Sequence, residues 1–372
     1  MNKEIKKNRT VFKKITISGI VTFIILILAE ITLSTFQIFP NNYFTMTPNS
    51  GFIWKINSEE ITGINQDSEV SFDELGARSI SNYQDKEHKI VLFGGSTTAC
   101  FALTQLKTWP ALLEKKLGDA YWVGNFGRPG NSSNHHILQF EHILKKEELS
   151  DVKTVVIMQG VNDFVGYLIS SEQYLNTPQQ KLKRIAFQHV PDGDIPFYKK
   201  LTLYKLARRA KQNIIFHFKH KDYLTKVVQD IKTLKKQAKI VDELPDLTEG
   251  LNHYKKNTEY LIKLADEKKI NLVFVTQATM WKPDLDKKYE DLMTTSGFAN
   301  NEAFYSTKAF YQGMEAFNAL LKEVCNKHHV SYIDLQLPKT TASFYDDFHF
   351  NESGAQLASD QIARDLKKVL NN

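Results

Sequence analysis

Short apolar runs alternate with helical segments over most of the chain after residue 88. Five runs have the length of a strand and are rich in β-branched or aromatic residues, which is typical of strands buried on both faces. They are Lys89–Phe93, Tyr121–Asn125, Thr154–Gln159, Asn271–Thr276 and Val330–Leu335. The segments with a helical pattern are Thr108–Leu117, Ser133–Glu148, Asn252–Lys268, Thr307–His328 and Glu352–Val369. This alternation predicts an α/β fold with a doubly wound, parallel, five-stranded sheet.

A different pattern marks the N-terminus, where a basic tail precedes a long apolar stretch. The tail, residues 1–14, has six Lys and Arg against one acid, and Ile15–Phe39 contains a single charge, Glu30. A helix of that length would span a bilayer core of about 30 Å. The positive-inside rule then keeps the tail in the cytoplasm and exports the rest. We expect an uncleaved, single-pass signal anchor, with Glu30 near the outer interface or facing a partner.

A cleaved signal peptide is the alternative interpretation of this terminus. Its apolar region would be Ile15–Ala29, but no small-residue cleavage site follows. Both interpretations predict that the bulk of the protein works outside the cytoplasm, in the periplasm or the extracellular space.

Composition predicts the domain boundaries in the rest of the chain. Residues 40–87 are polar with short apolar pieces and predict a linker and lead-in, and 88–370 form the main domain. The stretch at about 165–250, between the third and fourth predicted strands, is too long for a simple crossover connection and predicts a helical insertion. Between Lys199 and Lys239 it carries thirteen Lys and Arg against two Asp. The simpler explanation of this excess of basic residues is a solvated helical face. The more specific explanation is contact with anionic lipid or an anionic polymer, whereas nucleic acid is not expected as a partner of an exported protein.

Composition excludes some classes of site. At 372 residues and 42% hydrophobic, the chain can bury a full core. Two cysteines, Cys100 and Cys325, make neither a disulfide framework nor a zinc site, and a single bridge between them is left open. The sequence points to no metal and no cofactor.

Candidate chemistry begins where the first strand of the sheet ends, at Gly94-Gly95-Ser96. Taken alone, this stretch fits an ordinary strand-to-helix turn with a capped helix. Glycines at such a point also permit close approach to a substrate, with Ser96 exposed at the edge where α/β folds bind ligands.

Three further segments supply what an exposed Ser96 would need for acyl transfer. Gly130 follows the second strand and offers a backbone N–H, and Asn162 follows the third and offers an amide. Asp346 lies three residues before His349, ahead of the final helix. His349 would take the Ser96 proton and Asp346 would hold the imidazole. The Ser96 N–H, the Gly130 N–H and the Asn162 side chain would bind the developing oxyanion.

Together these segments resemble the four blocks of the SGNH/GDSL hydrolase family. The blocks are Gly94-Gly95-Ser96, Asn125 to Gly130, Gly160-Val161-Asn162-Asp163 and Asp346-Asp347-Phe348-His349. They occur in the family's order over about residues 88–370, excluding much of the insertion. The resemblance implies a three-layer, flavodoxin-like fold and an esterase of the membrane-anchored bacterial type. It also implies that Ser96, Asp346 and His349 form the catalytic triad and that Gly130 and Asn162 complete the oxyanion hole.

Some positions depart from the family pattern or leave a choice. Gly95 stands where the namesake motif has Asp, Gly127 is a second candidate for the donor glycine, and Asp347 competes with Asp346. Four residues near the blocks or after the fourth strand are candidates for the substrate pocket. They are Gly95, Asp163, Gln277 and Trp281.

These residues predict a serine esterase that removes O-acetyl or other acyl groups from an exported or envelope glycan or another ester. One alternative is an O-acyltransferase that uses the same triad and passes the acyl group to a polysaccharide. A second is a non-catalytic envelope protein that binds or scaffolds.

Overall fold

A computed structural model of the protein describes residues 2–36, 41–56, 61–191, 195–208, 238–290 and 303–371, with short pieces at 193, 210–211, 233, 293 and 298–300. The chain divides into two compact units. One consists of Met1–Asn42 with Val190–Lys221, and the other of Tyr43–His189 with Asp222–Asn372.

The larger unit is built on a parallel sheet of five strands. Strands β1 to β10 are, in chain order, Ser50–Trp54, Ser68–Phe72, His88–Gly94, Tyr121–Asn125, Thr154–Met158, Lys239–Val241, Asn271–Val275, Phe298–Asn300, Ala303–Tyr305 and Ser331–Ile333. The parallel sheet has the order β10-β7-β5-β3-β4. This is the flavodoxin-like order, which reverses between β3 and β5, so a ligand crevice is expected at the ends of those two strands.

The register aligns the carboxyl ends of the central strands. Gly94 at the end of β3 lies opposite Met158 at the end of β5, and Met158 lies opposite Val275 of β7. The turns that follow β3 and β5 therefore leave the sheet side by side. Every residue of β5 is buried, as expected for a strand covered on both faces.

Helices flank this sheet. In the larger unit they are Ser96–Ala99, Trp109–Leu117, Ser133–Ile143, Val161–Ile169, Ser171–Asn176, Gln179–Ala186, Thr248–Lys268, Lys287–Glu290, Thr307–His328 and Glu352–Leu370. Trp109–Leu117 packs against Glu352–Leu370, whereas Thr248–Lys268 packs against both Ser133–Ile143 and Thr307–His328. The predicted fold class is confirmed, and the five predicted strands lie within one or two residues of the observed ones.

The lead-in contains a pair of strands and a buried arginine. Strands β1 and β2 pair antiparallel, and the segment after β2 delivers Arg78 into the interior of the larger unit. The Arg78 guanidinium donates to the carbonyls of Ala99, Cys100 and Leu103 at distances of 2.6 to 2.8 Å. Burial lowers the pKa of Arg78 to about 10, so it remains charged at neutral pH. Arg78 thereby holds residues 99–103, the segment at the end of the helix that begins at Ser96, in place.

The two cysteines are separate and buried. Cys100 follows the helix Ser96–Ala99, and Cys325 lies in Thr307–His328. The disulfide that the sequence left open is not formed in the structure. Burial raises the pKa of both thiols to about 12, which keeps them protonated and unreactive.

The smaller unit contains the N-terminal helix, Asn2–Thr35. Within it Lys13–Thr35 has a mean hydropathy of 2.3 over its apolar window and is long enough to cross a bilayer, a property that a signal sequence would share. The unit also contains Phe197–Lys200 and helical residues 202–208. The middle of the predicted basic insertion, at 212–232 and 234–237, lies outside the described residues, as does the end of the predicted anchor at 37–39.

Candidate active site

A side chain at either glycine of the turn after β3 would displace a neighbouring side chain. A Cβ at residue 94 would overlap the Thr98 hydroxyl oxygen, and a Cβ at Gly95 would overlap the Asn162 amide nitrogen. The helix Ser96–Ala99 starts immediately afterwards, so Ser96 stands half-buried at its first position. The close approach of Gly95 to Asn162 joins the turns after β3 and β5.

His349 connects Ser96 to Asp346 through hydrogen bonds on its two ring nitrogens. His349 Nε2 lies 2.7 Å from Ser96 Oγ, and His349 Nδ1 lies 2.7 Å from Asp346 Oδ2. The natural assignment is that Nδ1–H donates to the carboxylate, which leaves Nε2 free to accept the Ser96 proton. A hydroxyl, an imidazole and a carboxylate in this relation can generate a serine nucleophile.

The loop that carries His349 is braced by its own backbone. Asp346 Oδ1 accepts from the His349 N–H at 2.8 Å and from the Phe348 N–H at 3.0 Å, and the Tyr345 N–H donates to the His349 carbonyl. The Tyr345 ring stacks on the imidazole with centroids 5.5 Å apart. These contacts restrict the imidazole to an orientation facing Ser96.

The structure separates the two adjacent aspartates. Asp347 is fully buried, and its carboxylate accepts from the Trp281 indole N–H at 3.3 Å. The carboxylate of Asp346, in contrast, pairs with the His349 imidazole. The competition that the sequence left between them is therefore decided by packing in favour of Asp346.

On the other side of Ser96, Asn162 meets the loop that follows β4. Asn162 Nδ2 donates to the Asn131 carbonyl at 2.8 Å, which leaves its second hydrogen for a ligand oxygen. Gly130, the residue before Asn131, is exposed and has a φ of +81°, a backbone conformation that favours glycine. A Cβ at Gly127 would overlap backbone atoms of Thr98 and Ala99, so this alternative glycine is packed under the turn.

Asp163 connects the loops that follow β4 and β5 through buried hydrogen bonds. It is fully buried, and its carboxylate accepts from the Ser133 N–H at 3.0 Å, from the Ser133 hydroxyl, and from the Tyr174 hydroxyl at 2.7 Å. Asn257 in turn donates to the Ser133 hydroxyl oxygen at 2.9 Å. Because Asp163 follows Asn162 and Ser133 begins the next helix after Gly130, these bonds set the spacing between the two loops.

Three of the four expected substrate-pocket residues are in the interior. Asp163 and Trp281 are 0% exposed and Gln277 is 2% exposed, and none of the three lines the cavity beside Ser96. Trp281 packs among aromatic rings, while the Gln277 side chain lies against Thr97 and its own neighbour Ala278. Gly95 is also buried, and it shapes the site through its lack of a side chain.

A small cavity opens beside the Ser96 hydroxyl. Its volume is about 10 Å³, close to the least space that holds one water. It is lined by Ser96, Thr97, Cys100, Ala102, Leu103, Tyr345, His349 and Phe350. Cys100 and Leu103 were not expected at the site. Their carbonyls accept hydrogen bonds from Arg78, which lies more than twenty residues earlier in the chain, and no local sequence pattern reveals this contact.

We predict that Asp163 makes the stability of the larger unit depend on pH. Burial raises the pKa of its carboxyl to about 6, with Ser133 and Tyr174 opposing part of the rise. The pKa in the folded protein lies above the value of about 3.9 in an unfolded chain. Asp163 therefore makes its full contribution to the free energy of unfolding below pH 4, and this contribution is lost as pH rises through 6. The neutral variant Asp163→Asn has no such dependence.

The measurement is urea unfolding of the full chain in detergent, followed by the four tryptophans, which all lie in the larger unit. The free energy of unfolding of the wild type minus that of Asp163→Asn should fall by ~2 kcal/mol between pH 4.5 and 7.5. A difference that stays constant over this range would contradict the elevated pKa.

The sequence matches the GDSL-like lipase/acylhydrolase family over residues 92–357. No curated protein matches the chain.

Several solved structures are similar. LAE5, an α/β hydrolase from the metagenome of Lake Arreo, Spain, has 14% identity and a TM-score of 0.40, covering 78% of this chain and 98% of LAE5. Axe2, an acetylxylan esterase from Geobacillus stearothermophilus, has 14% identity and a TM-score of 0.39, covering 76% of this chain and 94% of Axe2. A lipase/acylhydrolase from Enterococcus faecalis has 16% identity and a TM-score of 0.38, covering 76% of this chain and 96% of that protein.

The family match extends over most of the chain and includes Ser96, Asn162 and His349. The protein belongs to the GDSL-like lipase/acylhydrolase family and is a serine hydrolase that acts on ester bonds.

Proposed function

We propose that the protein is a membrane-anchored esterase that removes acetyl or similarly short acyl groups from an exported substrate, through Ser96, His349 and Asp346. The observation that carries the proposal is the unbroken chain of hydrogen bonds from Ser96 Oγ through His349 to Asp346. The apolar helix that contains Lys13–Thr35 supports anchoring, with the basic tail in the cytoplasm and the larger unit exported.

In the proposed reaction Ser96 Oγ attacks the ester carbonyl carbon while its proton passes to His349 Nε2. Asp346 stabilises the imidazolium that forms. The carbonyl oxygen, now negative, accepts hydrogen bonds from the Ser96 N–H, the Gly130 N–H and the free hydrogen of Asn162 Nδ2.

Collapse of this intermediate expels the alcohol, which takes the proton from His349, and leaves the acyl group on Ser96. Water then attacks the acyl-enzyme with His349 as base, and its proton is returned to Ser96 as the acid leaves. A sugar hydroxyl in place of water would make the enzyme an O-acyltransferase, so the acceptor alone separates the two functions.

The size of the acyl group is proposed from the cavity beside Ser96. A volume of about 10 Å³ is close to the space of one water, so it favours the smallest acyl groups. Leu103 and Cys100 are buried and form part of the wall. An acetyl group, which has only a methyl beyond the carbonyl carbon, would require the least movement of this wall, whereas a longer chain would require more. A glycan O-acetyl ester is the proposed substrate class.

We predict that Ser96→Ala abolishes hydrolysis of p-nitrophenyl acetate, with kcat falling by roughly 10³-fold or more because the nucleophile is lost. The wild type should also be labelled by a fluorophosphonate and Ser96→Ala should not. Ser150→Ala, which removes an exposed serine, is the control and should keep both properties. Retained activity in Ser96→Ala would overturn the assignment, and acyl transfer to an added oligosaccharide that outcompetes hydrolysis would favour the transferase.

We predict that Gly95→Ala lowers kcat by about 10²-fold or more, because the new Cβ must displace the Asn162 amide from the oxyanion site. Gly166→Ala is a matched control, since its Cβ would meet only ordinary contact with Tyr174 at 3.6 Å. The control should keep full activity. Equal activity of the two variants would show that Asn162 does not depend on the space at position 95.

We predict that kcat/KM falls steeply along a series of acetyl, butyryl and octanoyl esters. Leu103→Ala should enlarge the cavity and raise the ratio of butyryl to acetyl hydrolysis by about 10-fold, the scale of one or two methylenes in an apolar pocket. Leu106→Ala is the control, because Leu106 is 54% exposed and lies outside the cavity. Wild-type enzyme that prefers octanoyl esters would contradict the small acyl pocket without affecting the assignment of Ser96.

A further inference from the structure

Glu30 in the N-terminal helix binds a second segment of the smaller unit. Its carboxylate accepts from the Thr202 N–H at 2.6 Å and from the Leu203 N–H at 2.8 Å. These N–H groups begin the helical residues 202–208, where the first turn has no acceptor of its own. A carboxylate at this position is favoured by both the hydrogen bonds and the helix dipole. The contact explains how an acid is accommodated in an otherwise apolar stretch.

The position of Glu30 sets the depth of the segment that it binds. Glu30 lies five residues before Thr35, or ~7.5 Å along the helix axis at about 1.5 Å per residue. The apolar stretch Lys13–Thr35 has 23 residues, which gives a length close to the hydrocarbon core of a bilayer. If the helix spans a membrane, Glu30 lies near the boundary between acyl chains and headgroups. Residues 202 and 203 must then lie at the same depth.

The residues just before this contact have the chemistry of a membrane interface. Phe197 is 77% exposed and Tyr198 is 53% exposed, although both are large apolar rings. Lys199 and Lys200 follow directly, and the Lys199 ammonium lies 5.6 Å from the centroid of the Tyr198 ring. Aromatic rings concentrate at the headgroup level of bilayers, and Lys side chains there are attracted to anionic lipids.

We propose that residues 196–208, the interfacial segment, lie on the outer surface of the membrane, bind anionic lipid headgroups, and are held there by Glu30. This inference rests on the proposed anchoring of the N-terminal helix. A lipid surface fits the segment better than a soluble polyanion does, because a bilayer supplies both an apolar layer for Phe197 and Tyr198 and negative charge for the lysines. The segment makes a second, peripheral contact with the membrane beside the anchor.

The test uses the full chain in nanodiscs of phosphatidylcholine, with or without phosphatidylglycerol. An environment-sensitive fluorophore is attached to Phe197→Cys in one sample and to Ile24→Cys, in the middle of the apolar stretch, in another. The native cysteines are both buried and so are poorly accessible to the reagent. At position 197 we expect a blue-shifted emission, stronger quenching by nitroxide lipids labelled near the headgroup than by deep ones, and an increase of that quenching with phosphatidylglycerol.

The two labels distinguish failure of the anchor from failure of the inference. If the label at position 24 is accessible to aqueous quencher, the anchoring itself is wrong. If position 24 is in lipid but position 197 behaves as in water, only the interfacial segment is overturned. A label at 197 that ignores lipid composition and instead responds to soluble polyphosphate would show a polymer site and would also overturn it.

The role of Glu30 is tested with Glu30→Ala and Glu30→Gln in the labelled protein. Glu30→Ala should reduce lipid quenching at position 197, whereas Glu30→Gln, whose amide oxygen can still accept an N–H, should retain more of it. Hydrolysis of a soluble ester should be unchanged in both variants. Quenching that is the same in all three proteins would overturn the proposal that Glu30 holds the segment.

Discussion

A buried carboxylate, that of Asp163, joins the loops that follow β4 and β5. Removing a carboxylate from water costs several kcal/mol unless donors replace the lost hydration. Here Ser133 and Tyr174 supply them, and Asn257 supports Ser133. Because Asn162 precedes Asp163 directly and the Gly130 turn precedes Ser133, this one group determines the distance between the two proposed oxyanion donors. The geometry around Ser96 therefore depends on an acid that no substrate can reach.

Steric limits at the end of β3 complete that geometry. The space next to Gly95 is occupied by the Asn162 amide, so any side chain at position 95 would compete with it. Glycine at this position, where the family's namesake motif has Asp, leaves that space to the Asn162 amide. On the far side of the turn, Arg78 holds three carbonyls of the chain that leaves the helix, which keeps the wall of the small cavity in place.

The same physical solution occurs twice in the chain. Asp163 and Glu30 are both acids that accept backbone hydrogen bonds from the start of a helix, Asp163 from one N–H group and Glu30 from two. Those groups lack partners within their own helices, so an acid and a helix start satisfy each other. In the larger unit this arrangement fixes the candidate site. In the smaller unit it ties residues 202 and 203 to the apolar helix, and that tie is the basis for a membrane-facing segment.

The sequence by itself determined the strands of the parallel sheet, the order of the four blocks, and the segments that carry Ser96 and His349. These follow from local patterns, because a strand buried on both faces must be apolar along its length and a tight turn at its end requires glycine. Burial and long-range pairing were decided only by the tertiary structure. Trp281 binds Asp347 and leaves Asp346 for His349, while Asp163, Gln277 and Trp281 lie in the interior rather than in a pocket. Such outcomes depend on which distant segments pack against each residue, and a linear pattern does not contain that information.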